Sequence, residues 1–257
     1  MPQLFDLSVA RTILQSDPVW CTYALGDLEP ALAAKCSWFW NYSDMRALVL
    51  IYRGFSPPIL FVTGQPELVT PLLPEIAAEP VVSLHVQSEI MPLLATRYDI
   101  VGEKSDWRMA LSRGDFRPAS VRNAVLLGPA DVDRVQSLYS DGEATGESPE
   151  YFAAESLVHG VFYGVPEGDE LTAVAGTHLV SGQEQVAALG NVYTRRDRRG
   201  LGLAAQTTSA VAKDLAGRGI RTIALNVRQQ NEQAIRVYER LGFRKHCEFR
   251  DGIASRR

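Results

Sequence analysis

Two glycines one residue apart, Gly200 and Gly202, stand between a run with the alternation of a strand, Gln185 to Thr194, and a run with the period of a helix, in which Leu203, Thr207, Val211 and Leu215 recur every four residues. A chain changes from strand to helix over so few residues only through a tight turn, and glycine enters the left-handed backbone region without strain. The helix that follows presents its unpaired N–H groups and the positive end of its dipole at that turn. Strand, glycine turn and helix in this order predict an anion site that needs no metal. Arg195, Arg196, Arg198 and Arg199 crowd the same turn, in a chain whose formal net charge is −4. A glycine helix start with solvated arginines would share any one of these features; position, arginines and helix together favour a ligand.

The surroundings restrict the kind of anion. Val161 to Val165, Leu171 to Val180 and Gln185 to Thr194 are consecutive strand signals, separated by turn residues at Pro166 to Asp169 and at Ser181 and Gly182, which predicts an antiparallel meander. Asn123 to Leu127 reads as a further strand, Pro129 opens a helix to about Tyr139, and a second helix is expected from Pro149 to His159 after the acidic loop holding Glu143, Glu147 and Glu150. A dinucleotide fold would place a third glycine where Ala205 stands and would need crossover helices between its strands; a phosphate loop of the Walker type would end in Gly-Lys-Ser or Gly-Lys-Thr. NAD and ATP are therefore runners-up. Beyond the turn, the helix closes at Gly217 and Gly219, Thr222 to Val227 is a strand, and a last helix runs from Asn231 to Leu241 before the strand-like Phe243 to Phe249.

The order of meander, Arg199-Gly200-Leu201-Gly202-Leu203-Ala204, helix, strand and helix resembles the GNAT acyltransferase superfamily, whose pyrophosphate signature is Gln or Arg, two residues, Gly, one residue, and Gly or Ala. Arg199, Gly202 and Ala204 fill it. A second segment, Asn231-x-x-Ala234-x-x-x-Tyr238-x-x-x-Gly242-Phe243, is similar to the one by which that family sets its later helix against the thioester. Its spacing has a mechanical sense, since Ala234, Tyr238 and Leu241 share a helix face, Asn231 caps the start and Gly242 supplies a left-handed exit.

The resemblance covers about residues 120 to 250 and implies an α/β (α+β) fold: a mixed, splayed sheet with helices on both faces. It implies an N-acetyltransferase that moves an acetyl group from acetyl-CoA to a primary amine of a small molecule or amino-acid-like acceptor by direct attack, without a metal. A non-catalytic acyl-CoA sensor or interaction protein of the same fold is the alternative. On this reading the backbone of Val192, Tyr193 and Thr194 pairs with the pantetheine amides, with Gly190 as a bulge. Amides from Gly200 to Ala204 hold the pyrophosphate, a backbone N–H near Asn191 or Val192 meets the oxyanion, Asn231 contacts the pantetheine arm, and Tyr238 protonates the leaving thiolate. Glu143, Glu147, Glu150, Glu155 and His178 remain open as candidates for the base, and the acidic loop suggests a cationic amine.

A connector is expected at Ser112 to Ser120, SRGDFRPAS, dividing an N-terminal α/β lobe, 1–115, from the acetyltransferase domain, 116–257. The first lobe carries neither motif and reads as a degenerate copy of the same fold or as an unrelated lid or dimer element. Its signals are a strand pair at Ala47 to Tyr52 and Ile59 to Thr63, a helix from Pro66 to Ala77, a strand at Val81 to Leu84, a helical stretch near Ser88 to Arg97 and a strand at Asp99 to Val101. The aromatic run Trp38, Phe39, Trp40 and Tyr42 reads as core in preference to a binding surface. With 46% hydrophobic residues, no long apolar span and an acidic balance, the chain is expected to be a cytoplasmic monomer or homodimer that partners neither nucleic acid nor membrane. Cys21, Cys36 and Cys247 are too few and too scattered for a disulfide framework or a zinc site.

Overall fold

The computed structural model describes residues 7–41, 44–76, 79–149 and 152–257. Its strands are β1 (Cys36–Trp40), β2 (Leu48–Tyr52), β3 (Ile59–Thr63), β4 (Val81–Gln87), β5 (Tyr98–Leu111), β6 (Val125–Leu127), β7 (Phe162–Glu167), β8 (Glu170–Ser181), β9 (Val186–Thr194), β10 (Thr222–Arg228) and β11 (Arg244–Arg256). The chain separates into two compact units: Met1–Arg108 with Val227–Gln230 and Lys245–Arg257, and Met109–Asn226 with Asn231–Arg244. The cut therefore falls before the stretch expected to be the connector, and β11 joins the first unit instead of extending the second.

In the first unit the strand order is β1-β2-β3-β4-β11-β5. β1, β2 and β3 pair antiparallel, as the short apolar runs and the turn between them suggest, whereas β3 and β4 are parallel and β4 and β11 antiparallel. Val49, Ile51, Leu60, Val62, Leu84 and Val86 are fully buried in one core. Trp38 and Trp40 are buried too, which fits the core reading of the aromatic run; Tyr42 lies outside the described residues. The helix expected from Pro66 is broken into Pro66–Val69, the 3-10 turn Thr70–Leu72 and Leu73–Ile76. Pro71 and Pro74 each remove a helical N–H and crowd the preceding turn; the expected end at Ala77 lies outside the described residues. Near Ser88 to Arg97 only Ser88–Ile90 and Met91–Leu94 are helical.

In the second unit the order is β10-β9-β8-β7-β6, with β10 and β9 parallel and the other neighbours antiparallel, so the meander is present. The helix Val132–Glu143 lays Val135, Leu138 and Tyr139 against Leu127, Phe162, Val174 and Tyr193, and the helix Leu203–Gly217 packs on β7, β8 and β9. Of the helix expected over Pro149 to His159, Ser156–His159 alone is helical among the described residues, outside which Glu150 and Tyr151 lie. Ala153 to Glu155 turn instead, with the N–H groups of Ser156 and Leu157 donating three residues back.

Gly242 closes the last helix, Glu232–Leu241, with φ +101°. A Cβ there would collide with the carbonyl oxygen of Asp115, so the position excludes side chains on two counts. Gly219 has φ +84° but open space around it. Gly242→Ala is therefore expected to lower unfolding free energy by about 2 to 3 kcal/mol and Gly219→Ala by only about 1 kcal/mol. Urea melts of both variants check this; equal losses would mean that the Asp115 contact relaxes freely.

Candidate active site

β9 and β10 run in parallel register from Val186 opposite Thr222 to Leu189 opposite Leu225, and there the pairing stops, although β9 continues to Thr194. On its other side β9 slips against β8: Val174 faces Tyr193, but Gly176 faces Gly190, so β9 holds one residue more than its partner between those pairs. This is a bulge, centred on Asn191 and Val192. Asn191 sits at φ +53°, and its carbonyl accepts a hydrogen bond of 2.7 Å from the Tyr139 hydroxyl. A Cβ built on Gly190 would meet the ring of the exposed His178, which would have to turn aside. The strand thus opens at the place expected from Gly190, with the amides of Asn191 to Thr194 beyond the last β10 pair.

Sequence reasoning missed the side chains at this opening. Asn191 is 4% exposed, yet neither atom of its carboxamide has a hydrogen-bond partner, and the same holds for Thr194 Oγ1 and Asn226 Oδ1. No local pattern signals this, because an asparagine is unpartnered only with respect to neighbours supplied by other strands.

The glycine turn has the expected conformation. Arg196–Arg198 form a 3-10 turn, Arg199 is extended, Gly200 and Gly202 are left-handed at +81° and +77°, and the helix begins at Leu203. The first N–H bonded within that helix is that of Gln206, to Gly202. The N–H groups before it are those an N-terminus leaves for a ligand. Nothing lies within 4 Å of a Cβ built on Gly200 or Gly202, so only the left-handed backbone, and no neighbouring atom, restricts the side chain at either position.

The arginines are less available than their number suggests. Arg199 makes two hydrogen bonds to Glu147, of 3.0 and 3.1 Å. Arg195 is paired with Glu167, Glu170 and Asp197, Arg198 with Glu167 and Asp197, and Arg196 with Asp141. Asp141 also accepts from the Tyr193 hydroxyl at 2.8 Å, and the Arg199 guanidinium lies over the Tyr193 ring. The hydrogen bonds from Arg199 and Thr145 hold the Glu147 carboxyl below its ordinary range. These pairs are solvent-exposed and contribute little to stability, so an incoming polyanion can displace them.

The last helix is built as its spacing implies. The Asn231 side-chain oxygen accepts the Ala234 N–H at 3.1 Å, which commits that oxygen to capping. Tyr238 is buried, its ring centroid 5.9 Å from that of Phe243, and desolvation pushes its hydroxyl up to about 12. Glu143 ends the helix Val132–Glu143, Glu147 is held by Arg199, Glu155 precedes the short helix, and His178 is exposed on β8. Among the described residues there is no group of three or more His, Cys, Asp or Glu placed to hold a metal ion, and no helix is long and apolar enough to cross a membrane.

Residues 132–243 match the model of the acetyltransferase (GNAT) family, and this segment is a GNAT acetyltransferase domain. No curated protein matches the chain. Among solved structures, a protein of Novosphingobium aromaticivorans DSM 12444 classed with the GNAT acetyltransferases is 23% identical with a TM-score of 0.56, covering 77% of this chain and 84% of its own. A Drosophila protein is 13% identical with a TM-score of 0.67 over 97% of this chain and 88% of its own. A GCN5-related N-acetyltransferase from Kribbella flavida is 16% identical with a TM-score of 0.56, covering 80% and 86%. At such identities the likeness is one of fold.

Proposed function

We propose that this protein is an N-acetyltransferase that takes acetyl-CoA as donor and the primary amine of a small or amino-acid-like molecule as acceptor. The observation that carries the reading is the bulged β9 strand parting from β10 in the same unit as an open, left-handed glycine turn at a helix N-terminus. An extended arm pairs along the free edge of Val192, Tyr193 and Thr194, and a pyrophosphate sits against the amides from Gly200 to Ala204. The N–H groups of Asn191 and Val192 are the donors for the oxyanion. The amine nitrogen attacks the thioester carbonyl carbon, the C–S bond breaks, and the Tyr238 hydroxyl faces the departing sulfur. The attacking nitrogen's surplus proton leaves to water. Asn231, its oxygen committed to the cap, has its Nδ2 hydrogens left for the pantetheine arm. The first unit carries neither motif and on this reading holds no CoA.

Glu147 competes with the donor for Arg199. Glu147→Gln is expected to tighten acetyl-CoA severalfold while changing unfolding free energy by less than about 0.5 kcal/mol; weaker binding in that variant would show that the carboxylate positions Arg199 for the ligand. The reading itself is tested by calorimetric titration with acetyl-CoA and CoA, followed by thiol release over a panel of amines. Saturable binding with thiol release for one amine class supports it. Binding without release for any amine would leave an acyl-CoA sensor, and no binding would overturn both.

A further inference from the structure

The first unit buries one cation that nothing around it satisfies. Arg108, on β5, is 2% exposed, and neither its Nε nor its Nη1 has a hydrogen-bond partner. Its guanidinium carbon lies 5.3 Å from the ring centre of Trp20, 4.9 Å from that of Tyr23 and 5.6 Å from that of Phe249 on the neighbouring strand β11. Rings attract the cation through their faces, which leaves the in-plane N–H groups of Nε and Nη1 unpaired. Burial pushes the guanidinium below its ordinary range, but an arginine stays charged at neutral pH. A buried charge without hydrogen bonds is among the most costly features a fold can keep, and it marks a group reserved for a ligand.

The acids near Arg108 are committed elsewhere. Asp17 accepts the Trp20 N–H through Oδ1 at 3.0 Å and is paired with His246 Nε2 through Oδ2 at 2.8 Å. Asp106, two residues before Arg108 and so on the same face of β5, is paired with Arg228, which also holds Asp251. Cys21 and Cys247 lie within electrostatic reach of the guanidinium, but burial pushes their thiols up to about 12 and about 11, so both are neutral at pH 7. One uncompensated positive charge thus stands among three rings and two neutral thiols. Tyr23 and Cys247 are half-buried, so these surroundings reach the surface.

We propose that Arg108 anchors a carboxylate-binding site in the first unit, which takes a small monocarboxylate with an apolar body. A single unpaired cation calls for a single counter-charge; a phosphate dianion would bring a surplus negative charge to a site with Asp17 in its field. A carboxylate is planar and offers two oxygens in the plane of the guanidinium, where the unpaired N–H groups point. The rings that stack on the guanidinium also offer an apolar body its contacts. The chemistry is the same for a free carboxylate and for the carboxylate of an amino-acid acceptor, and the site stands independently of the acetyltransferase reading.

The test titrates the full chain calorimetrically with propionate, with propionamide, which has its shape without its charge, and with inorganic phosphate. Propionate is expected to bind more tightly than either by at least about tenfold. Arg108→Lys keeps the charge but loses the planar fork, and should weaken propionate by at least about tenfold. Arg108→Met removes the charge at similar length and should abolish propionate binding, with melting curves as the control for folding; if it does not fold, Arg108→Lys decides. No binding of propionate to the parent, equal binding of propionamide or phosphate, or undiminished binding in either variant overturns the proposal. Thiol release with acetyl-CoA separates the two sources: propionate that competes with glycine but not with propylamine assigns the carboxylate to the acceptor, and absence of competition assigns it to a separate ligand, both with Arg108 as anchor. Failure of any amine to release thiol overturns the transferase reading alone, and the titrations still decide the carboxylate site.

Discussion

Gly202→Asp is expected to abolish measurable acetyl-CoA binding, a loss of at least about 10²-fold in affinity, while the protein keeps its fold. The reason lies in two opposite consequences of one carboxylate. Gly202 is the N-cap of the helix Leu203–Gly217 and is left-handed at +77°. Asp tolerates that region better than most side chains and is among the preferred N-cap residues, and its charge suits the positive end of a helix dipole. Open space surrounds the position, so no clash arises. The same carboxylate fills the anion site from within: it takes the N–H groups that a pyrophosphate would use and sets a negative charge a few ångströms from two more, where unscreened repulsion is worth several kcal/mol. Gly202→Asn, of equal size and no charge, should lose less than Asp by at least tenfold. Calorimetry with acetyl-CoA on both variants, with melting curves as the control for folding, decides the matter; undiminished affinity in Gly202→Asp would mean that the turn is structural and the donor lies elsewhere.

That turn is legible in the sequence because its cause is local. Two glycines, a helical period and an Asn-to-Gly frame around Tyr238 each act over a few residues, and the structure shows the left-handed angles at Gly200, Gly202 and Gly242 and the Asn231 cap that such spacing requires. The bulge at Asn191 is half legible: Gly190 points to the place, but that β9 holds one residue more than β8 there follows only from the pairing of the two strands. What could not be read is non-local. β5 is fourteen residues long where only Asp99 to Val101 look strand-like, because Gly102 to Ser105 are polar on both faces and only its pairing partners make them a strand. β11 likewise outruns Phe249, through Arg250 and Asp251, since Val81 to Gln87 supply the ladder from far earlier in the chain. The division into units follows from the same pairing, which no boundary composition at Ser112 to Ser120 encodes. The four arginines misled in a different way: their number promised free positive charge, whereas carboxylates on other segments, Glu147 and Asp141 among them, hold them in pairs.

Tyr238→Phe is expected to lower kcat by on the order of 10²-fold and to leave the Kd for acetyl-CoA unchanged. The hydroxyl is pushed up to about 12 by burial, so it is fully protonated at neutral pH and always able to donate. A thiol titrates near 8.5, so complete transfer from Tyr238 to the departing sulfur is uphill, and its contribution is a hydrogen bond that strengthens as charge develops there. This puts the effect at the lower end of general-acid catalysis. It also means that the rate carries no ionisation from Tyr238 anywhere below pH 10. The linkage has a definite sign: with its folded value raised above the ordinary tyrosine value of about 10, the neutral tyrosine contributes stability that is fully present below pH 10 and is lost as the pH rises toward about 12. Phenylalanine cannot ionise, so the Tm of Tyr238→Phe should fall less than that of the parent between pH 10 and 12. Because the ring and its contact with Phe243 are retained, the two proteins should melt alike at pH 7. A variant with full kcat would remove Tyr238 from the chemistry and leave it as the tyrosine that packs the last helix; a variant with reduced kcat but weakened acetyl-CoA binding as well would place its effect on the donor site.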